Sequence, residues 1–137
     1  MEVGYRIDEI EGIGPANRAK LEKAGITTTD KLLTLCAGKK GREEVAIRTG
    51  LQAKQLLVWA NMADLMRIKG IGRQFSEVLK ASGVDTVKEL RNRRADNLAV
   101  KMGEVNAAKK LAKTSPSKDM VQGWIDHAKE LPPLISH

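Results

Sequence analysis

The sequence predicts an all-α protein, and three observations predict it. Tyr5, Trp59, Phe75 and Trp124 are the only aromatic residues among 137, so a chain that is 42% hydrophobic must build its core from Leu, Ile, Val and Ala. That palette suits packed helices better than sheets, which draw on aromatic and β-branched residues. No stretch of five or more residues alternates cleanly between apolar and polar, whereas apolar residues recur at helical spacing along most of the chain. Finally, Ile10-Glu11-Gly12-Ile13-Gly14 returns 58 residues later as Ile68-Lys69-Gly70-Ile71-Gly72.

The recurrence extends beyond the turn. At the same offset Leu21 lies over Leu79, Gly25 over Gly83, Thr28 over Thr86 and Leu32 over Leu90. Thr49 lies over Thr114 and Trp59 over Trp124 at an offset of 65, so the second copy carries seven extra residues, placed near 92–113. Ordered recurrence of this kind predicts an internal duplication, with units at 1–66 and 67–137.

The elements follow in order. Pro15, just after Gly14, opens a helix over 16–24, because an N–H at the first helical position has no intrahelical acceptor to lose. Gly25 stops it as a glycine beyond the C-cap, and a threonine of 27–29 caps the next helix, which carries Leu32, Leu33 and Leu35. Residues 37–41, Ala-Gly-Lys-Lys-Gly, read as the most mobile loop. A helix over 42–49 follows, with Val45 and Ile47 apolar, and then a longer one over 52–65. In the second unit Phe75, Val78 and Leu79 form one buried stripe of a helix over 73–81. Ser82 and Gly83 end that helix, and Thr86 caps the next, 87–93. Residues 95–113 read as one helix with a break near Met102 and Gly103. The last helix lies within 115–131, with Val121, Trp124, Ile125 and Ala128 on one side and Pro132 and Pro133 closing it.

The formal charge is +7, from 24 basic and 17 acidic residues. A basic surplus favours a polyanionic partner over an acidic one. It is unevenly shared: unit one holds 10 basic and 9 acidic residues, a net of +1, and unit two 14 and 8, a net of +6. Cys36 is the sole cysteine, which excludes an internal disulfide and a multi-cysteine metal site; among leucines it reads as a buried thiol in a reducing compartment. No apolar run reaches the length of a membrane span, and the N-terminus is acidic rather than basic-then-apolar, unlike a secretory signal. A cytoplasmic protein without membrane association is expected.

Chemistry-bearing constellations are sparse. His127 and His137 have no ligand-spaced partners, so no metal is expected. The carboxylates form no convincing catalytic pair, and Gly-Ile-Gly is neither a Walker loop nor a dinucleotide fingerprint. The chain is expected to be non-enzymatic, without a cofactor or small-molecule substrate. Trp59 and Trp124 could stack on bases, but their matched positions and apolar neighbours favour core packing. What remains is the turn itself. Its glycines allow positive φ and close approach, its isoleucine anchors it in the core, and it sets unpaired N–H groups at a helix start, where the dipole also favours an anion. A phosphate fits there without any base contact.

The pattern aliphatic-x-Gly-Ile-Gly, six residues, Leu, three residues, Gly-Ile/Val resembles the helix-hairpin-helix motif of DNA repair and recombination proteins. Its extension through Thr-x-x-x-Leu resembles the five-helix fold that carries the motif. Across residues 5–133 the chain is similar to a bacterial family of uncharacterised tandem helix-hairpin-helix domains, with matching stretches at 63–72 and 124–131. The resemblance implies two SAM-like helix-hairpin-helix repeats packed as one compact helical protein. It also implies that main-chain N–H groups at Gly12, Gly14 and Ala16, and at Gly70, Gly72 and Gln74, contact DNA phosphates.

The flanks distinguish the two turns. Lys69 and Arg73, with Arg67 close by, frame Gly70-Ile71-Gly72, whereas Asp8, Glu9 and Glu11 stand beside Gly12-Ile13-Gly14. Carboxylates repel a phosphate, so the second turn is the expected contact, salt-dependent and without strong sequence preference. Arg91, Arg93 and Arg94, and Lys109, Lys110 and Lys113, could extend the track; Lys39, Lys40 and Arg42 form a smaller patch. A packing corner, or a surface docking a protein partner, is the alternative for either turn and the favoured reading of the first.

Overall fold

Proline at a helix start is preorganised for it, and in the computed structural model, which describes residues 4–137, α1 begins at Pro15 and spans Pro15–Lys23. Met1, Glu2 and Val3, part of the segment read above as unlike a secretory signal, lie outside the described residues. A 3-10 turn, Ile7–Glu9, precedes α1. Seven helices follow: α2 Thr29–Cys36, α3 Lys39–Thr49, α4 Ala53–Leu65, α5 Arg73–Ala81, α6 Val87–Leu90, α7 Ala95–Lys109 and α8 Lys118–Glu130. Among the described residues there is no strand, and extended pairing is limited to one bridge between Arg6 and Thr28. No described helix is long and apolar enough to cross a membrane.

Helix ends 58 residues apart are built alike. After α1, Ile26 N–H reaches Leu21 O at 2.9 Å and Gly25 N–H reaches Glu22 O at 3.0 Å; after α5, Val84 N–H reaches Leu79 O at 2.9 Å and Gly83 N–H reaches Lys80 O at 3.1 Å. This pair of bonds satisfies carbonyls that a helix otherwise leaves orphaned. Thr28 Oγ1 then accepts from Lys31 N–H at 3.1 Å and Thr86 Oγ1 from Glu89 N–H at 3.4 Å, capping α2 and α6.

The chain departs from the expected boundaries at three places. Residues 39–41 are not loop: α3 starts at Lys39, with Gly38 as its N-cap. The reason lies at Gly41, where an added Cβ would run into the main-chain oxygen of Leu35. A glycine that reads as a breaker is there for the close approach of two helices. Arg42 is equally far from a surface patch, being 3% exposed and donating to Cys36 O at 3.0 Å, Ala37 O at 2.8 Å and Ser136 O. α6 stops at Leu90, and α7 runs unbroken through Gly103 to Lys109, ending at Lys110 with φ +54. The last helix, by contrast, lies within the expected 115–131, and Ser117 Oγ caps its start by accepting from Met120 N–H at 3.1 Å. Of the two apolar residues noted in α3, Val45 is buried and Ile47 is 85% exposed.

Two apolar clusters form the core. One gathers Ile7, Ile10, Ile13, Leu21, Leu32, Leu56 and Trp59; the other gathers Ile68, Ile71, Leu79, Leu90, Leu98 and Trp124. They meet at the end of α4, where Met66 belongs to the first and Leu65 to the second. The segment after α8 returns to the first cluster: Ile135 packs against it and Ser136 N–H bonds to Ala37 O at 2.9 Å.

Cys36 is fully buried in the first cluster. Burial pushes its thiol up to about 11, against a smaller downward pull from Arg42. The thiolate is the reactive form, so native protein at pH 8 should leave Ellman's reagent unreacted, while denatured protein releases one equivalent; fast labelling of native protein would contradict this. Because the folded-state value is raised, the thiol's stabilising contribution is complete below pH 9 and is lost as the pH climbs towards 11.

Candidate nucleic-acid interface

Both Gly-Ile-Gly turns use the same backbone. Gly12 has φ +95 and Gly70 φ +97, a region L-residues rarely adopt. Ile13 and Ile71 are buried, as expected of the turn's anchor. Each turn lies against its tryptophan: a Cβ on Gly12 would come 3.5 Å from Trp59 Nε1, and one on Gly70 would come 3.1 Å from Trp124 Nε1. Trp59 and Trp124 are 3% and 4% exposed, which leaves neither face open for a base. Phe75 adds a tilted contact to Trp124, with centroids 5.2 Å apart. Gly12→Ala should cost about 1–2 kcal/mol through its backbone alone. Gly70→Ala should cost about 1 kcal/mol more, since Trp124 is held by Phe75 and cannot easily give way. Denaturant melts of the two variants check the order.

The starts of α1 and α5 differ in donors. Arg18 N–H bonds to Gly14 O at 2.9 Å and Ser76 N–H to Gly72 O at 3.0 Å, the first intrahelical bonds of each. Ahead of them, among the described residues, α5 presents the unpaired N–H groups of Arg73, Gln74 and Phe75, while α1 presents those of Ala16 and Asn17 only, because Pro15 has none. Neither helix has a side-chain cap. Lys69 and Gly70 are exposed. Gln74 turns its side chain aside, its Oε1 accepting from Lys113 N–H at 3.2 Å, which sets Lys113 beside the start of α5. Asn106 pins the same connection, accepting from Ala112 N–H at 2.8 Å and donating to Ala112 O at 3.1 Å.

The other flanking cations are engaged within the chain. Arg73 grips Glu11 through Nε at 3.0 Å and Nη2 at 2.7 Å, joining the acidic first turn to the second. Glu77 stands close, its carboxyl raised by burial and then by Glu11, against the opposing pull of Arg73 and Lys80. Tyr5 faces Gly72, its hydroxyl 3.8 Å from where a Cβ would be. Arg67 is held by Asp64 at 2.8 Å and donates to Pro132 O at 3.0 Å. Lys69 is therefore the one flanking cation of the second turn without an ion-pair partner among the described residues. The Glu11–Arg73 pair spans 62 residues of sequence, and no local signal could have revealed it.

Arg91, Arg93 and Arg94 lie apart. No hydrogen bond or ion pair joins them to residues 69–74 among the described residues. They precede α7, whose fifteen residues separate them by about 22 Å from Lys109 and the connection that reaches Gln74. Arg93 and Arg94 instead line a surface depression with Asp96, Lys118, Gln122, Ile125 and Lys129. Asp96 is held below the usual carboxylate range, first by Asn97 N–H and then by Arg94 and Lys118. The sequence does carry a signal for this depression: 118, 122, 125 and 129 share one helical face, beside the Trp124 stripe that draws the eye. Among the described residues no group of three or more His, Cys, Asp or Glu side chains could hold a metal ion.

The fold and this site define a small all-helical protein with two matched, unequally charged Gly-Ile-Gly turns. By sequence the chain belongs to the family described as Domain of unknown function (DUF4332), which matches residues 11–131. No curated protein and no solved structure matches it.

Proposed function

We propose that this is a non-enzymatic nucleic-acid-binding protein, two tandem helix-hairpin-helix repeats over 1–66 and 67–137, that holds duplex DNA by its phosphates at the second hairpin. The observation that carries the proposal is the start of α5, where three N–H groups without a partner among the described residues sit next to exposed Lys69. Main-chain donors at a helix start suit a phosphate oxygen, and such contacts position a duplex without reading its bases. The first hairpin offers fewer donors among carboxylates and is a packing corner.

Fluorescence anisotropy with a mixed-sequence duplex tests this. Weak binding at low salt is expected, falling steeply with ionic strength. Lys69→Glu should abolish it, while Glu9→Gln beside the first hairpin should change it little. Absence of binding at low salt overturns the proposal. A second reading, a scaffold whose hairpins dock another protein, is favoured by one observation: Glu11 already occupies Arg73. A stoichiometric protein partner retained by the wild type and lost on altering residues 69–73 would favour it.

A further inference from the structure

The cations of the second half are not equally available. At the second hairpin Arg73 is taken by Glu11 and Arg67 by Asp64. In the depression between the start of α7 and α8, Arg93, Arg94, Lys118 and Lys129 converge around a single lining carboxylate, Asp96, which pairs with Arg94 at 3.0 Å. The neighbouring Asp126 is engaged by Gln122 at 2.9 Å. Arg93, Lys118 and Lys129 thus have no ion-pair partner among the described residues. Their placement also runs against the helix dipole, which favours anions at a helix start. Arg94 is the N-cap of α7 without a side-chain cap bond, and Lys118 is the first residue of α8. Like charges crowded at two positive helix ends are relieved when an anion lies across them.

We propose that this α7–α8 depression is a second phosphate-binding surface, which takes the sugar-phosphate backbone of the same DNA duplex and adds to the affinity of the hairpin. The inference rests on the nucleic-acid reading above. From Lys118 to Lys129 the face runs about 16 Å. A duplex carries one negative charge per roughly 1.7 Å of axis, so each cation along that length meets a phosphate. Arg93 carries a planar fork and Lys118 and Lys129 point charges, both of which bind phosphate without sequence preference.

The test uses the full chain, the same labelled duplex, and a series of salt concentrations. Lys118→Gln/Lys129→Gln removes two charges from the depression; Lys31→Gln/Lys54→Gln removes two exposed charges from α2 and α4 as a control. The first double variant should bind at least tenfold more weakly, with the slope of log affinity against log salt reduced by nearly 2, since each lost phosphate contact is worth about 0.9. Its melting temperature should not fall, because crowded like charges have been removed. The control should keep the wild-type slope. Equal losses in both double variants would mean that net charge alone acts, and would overturn the proposal. Wild-type binding by the depression variant would overturn it while leaving the hairpin reading intact. A wild-type chain that binds no duplex at low salt would overturn the nucleic-acid reading itself.

Discussion

Gly41→Ala is expected to be the most damaging small substitution in the chain, lowering stability by about 3 kcal/mol or more. On an exposed helix the same change would stabilise by about 1 kcal/mol, since alanine is the better helix former. Here the added methyl would overlap Leu35 O and lie 3.2 Å from its carbonyl carbon. Both are main-chain atoms, so no rotamer change relieves the clash; α2 and α3 must separate. That movement would disturb Cys36, Val45 and Arg42, buried on either side of the corner. Urea denaturation provides the check. A Gly41→Ala protein as stable as wild type would mean that α2 and α3 do not approach this closely.

Asp64→Ala should come next, costing about 3 kcal/mol, roughly 10 °C in melting temperature for a domain of this size. Asp64 is 1% exposed, with Oδ1 2.8 Å from Arg67 Nη1 and Oδ2 accepting Val87 N–H at 2.9 Å. The carboxylate thus ends α4, holds a half-buried guanidinium and caps α6 in one arrangement. Alanine leaves Val87 N–H without an acceptor and Arg67 with only Pro132 O, and unmade bonds of buried groups carry their full desolvation cost. Asp64→Asn should be milder, about 1–2 kcal/mol: its amide oxygen can still serve Val87, but its NH2 faces a guanidinium. Equal melts for the two variants would show that charge at Asp64 contributes nothing.

These two residues mark where sequence stopped being legible. The helix punctuation was local and readable: Pro15, Gly25, Thr28, Gly83 and Thr86 each act within a few residues of themselves, and each does as their chemistry requires. Gly41 and Arg42 were misread because their reasons are tertiary. One is a glycine serving a helix contact, and the other is a guanidinium whose third acceptor lies 94 residues away. The interface divides the same way. The inequality of the two turns was visible in their flanking charges, and the proline that removes a donor from the first turn was visible too. That Glu11 neutralises Arg73, and that Arg93 meets Lys118 and Lys129, depends on how separate helices dock.

The return of residues 135–136 to the α2–α3 corner has a consequence during synthesis. Chains emerge from the ribosome N-terminus first and their domains tend to fold in that order. Here α1 to α4 are made long before Ile135 and Ser136, yet Ile135 covers their cluster and Ser136 O completes the bonding of Arg42. Until residues 135 and 136 have been translated, the nascent first half has a buried-to-be guanidinium short of one acceptor and an incompletely covered cluster.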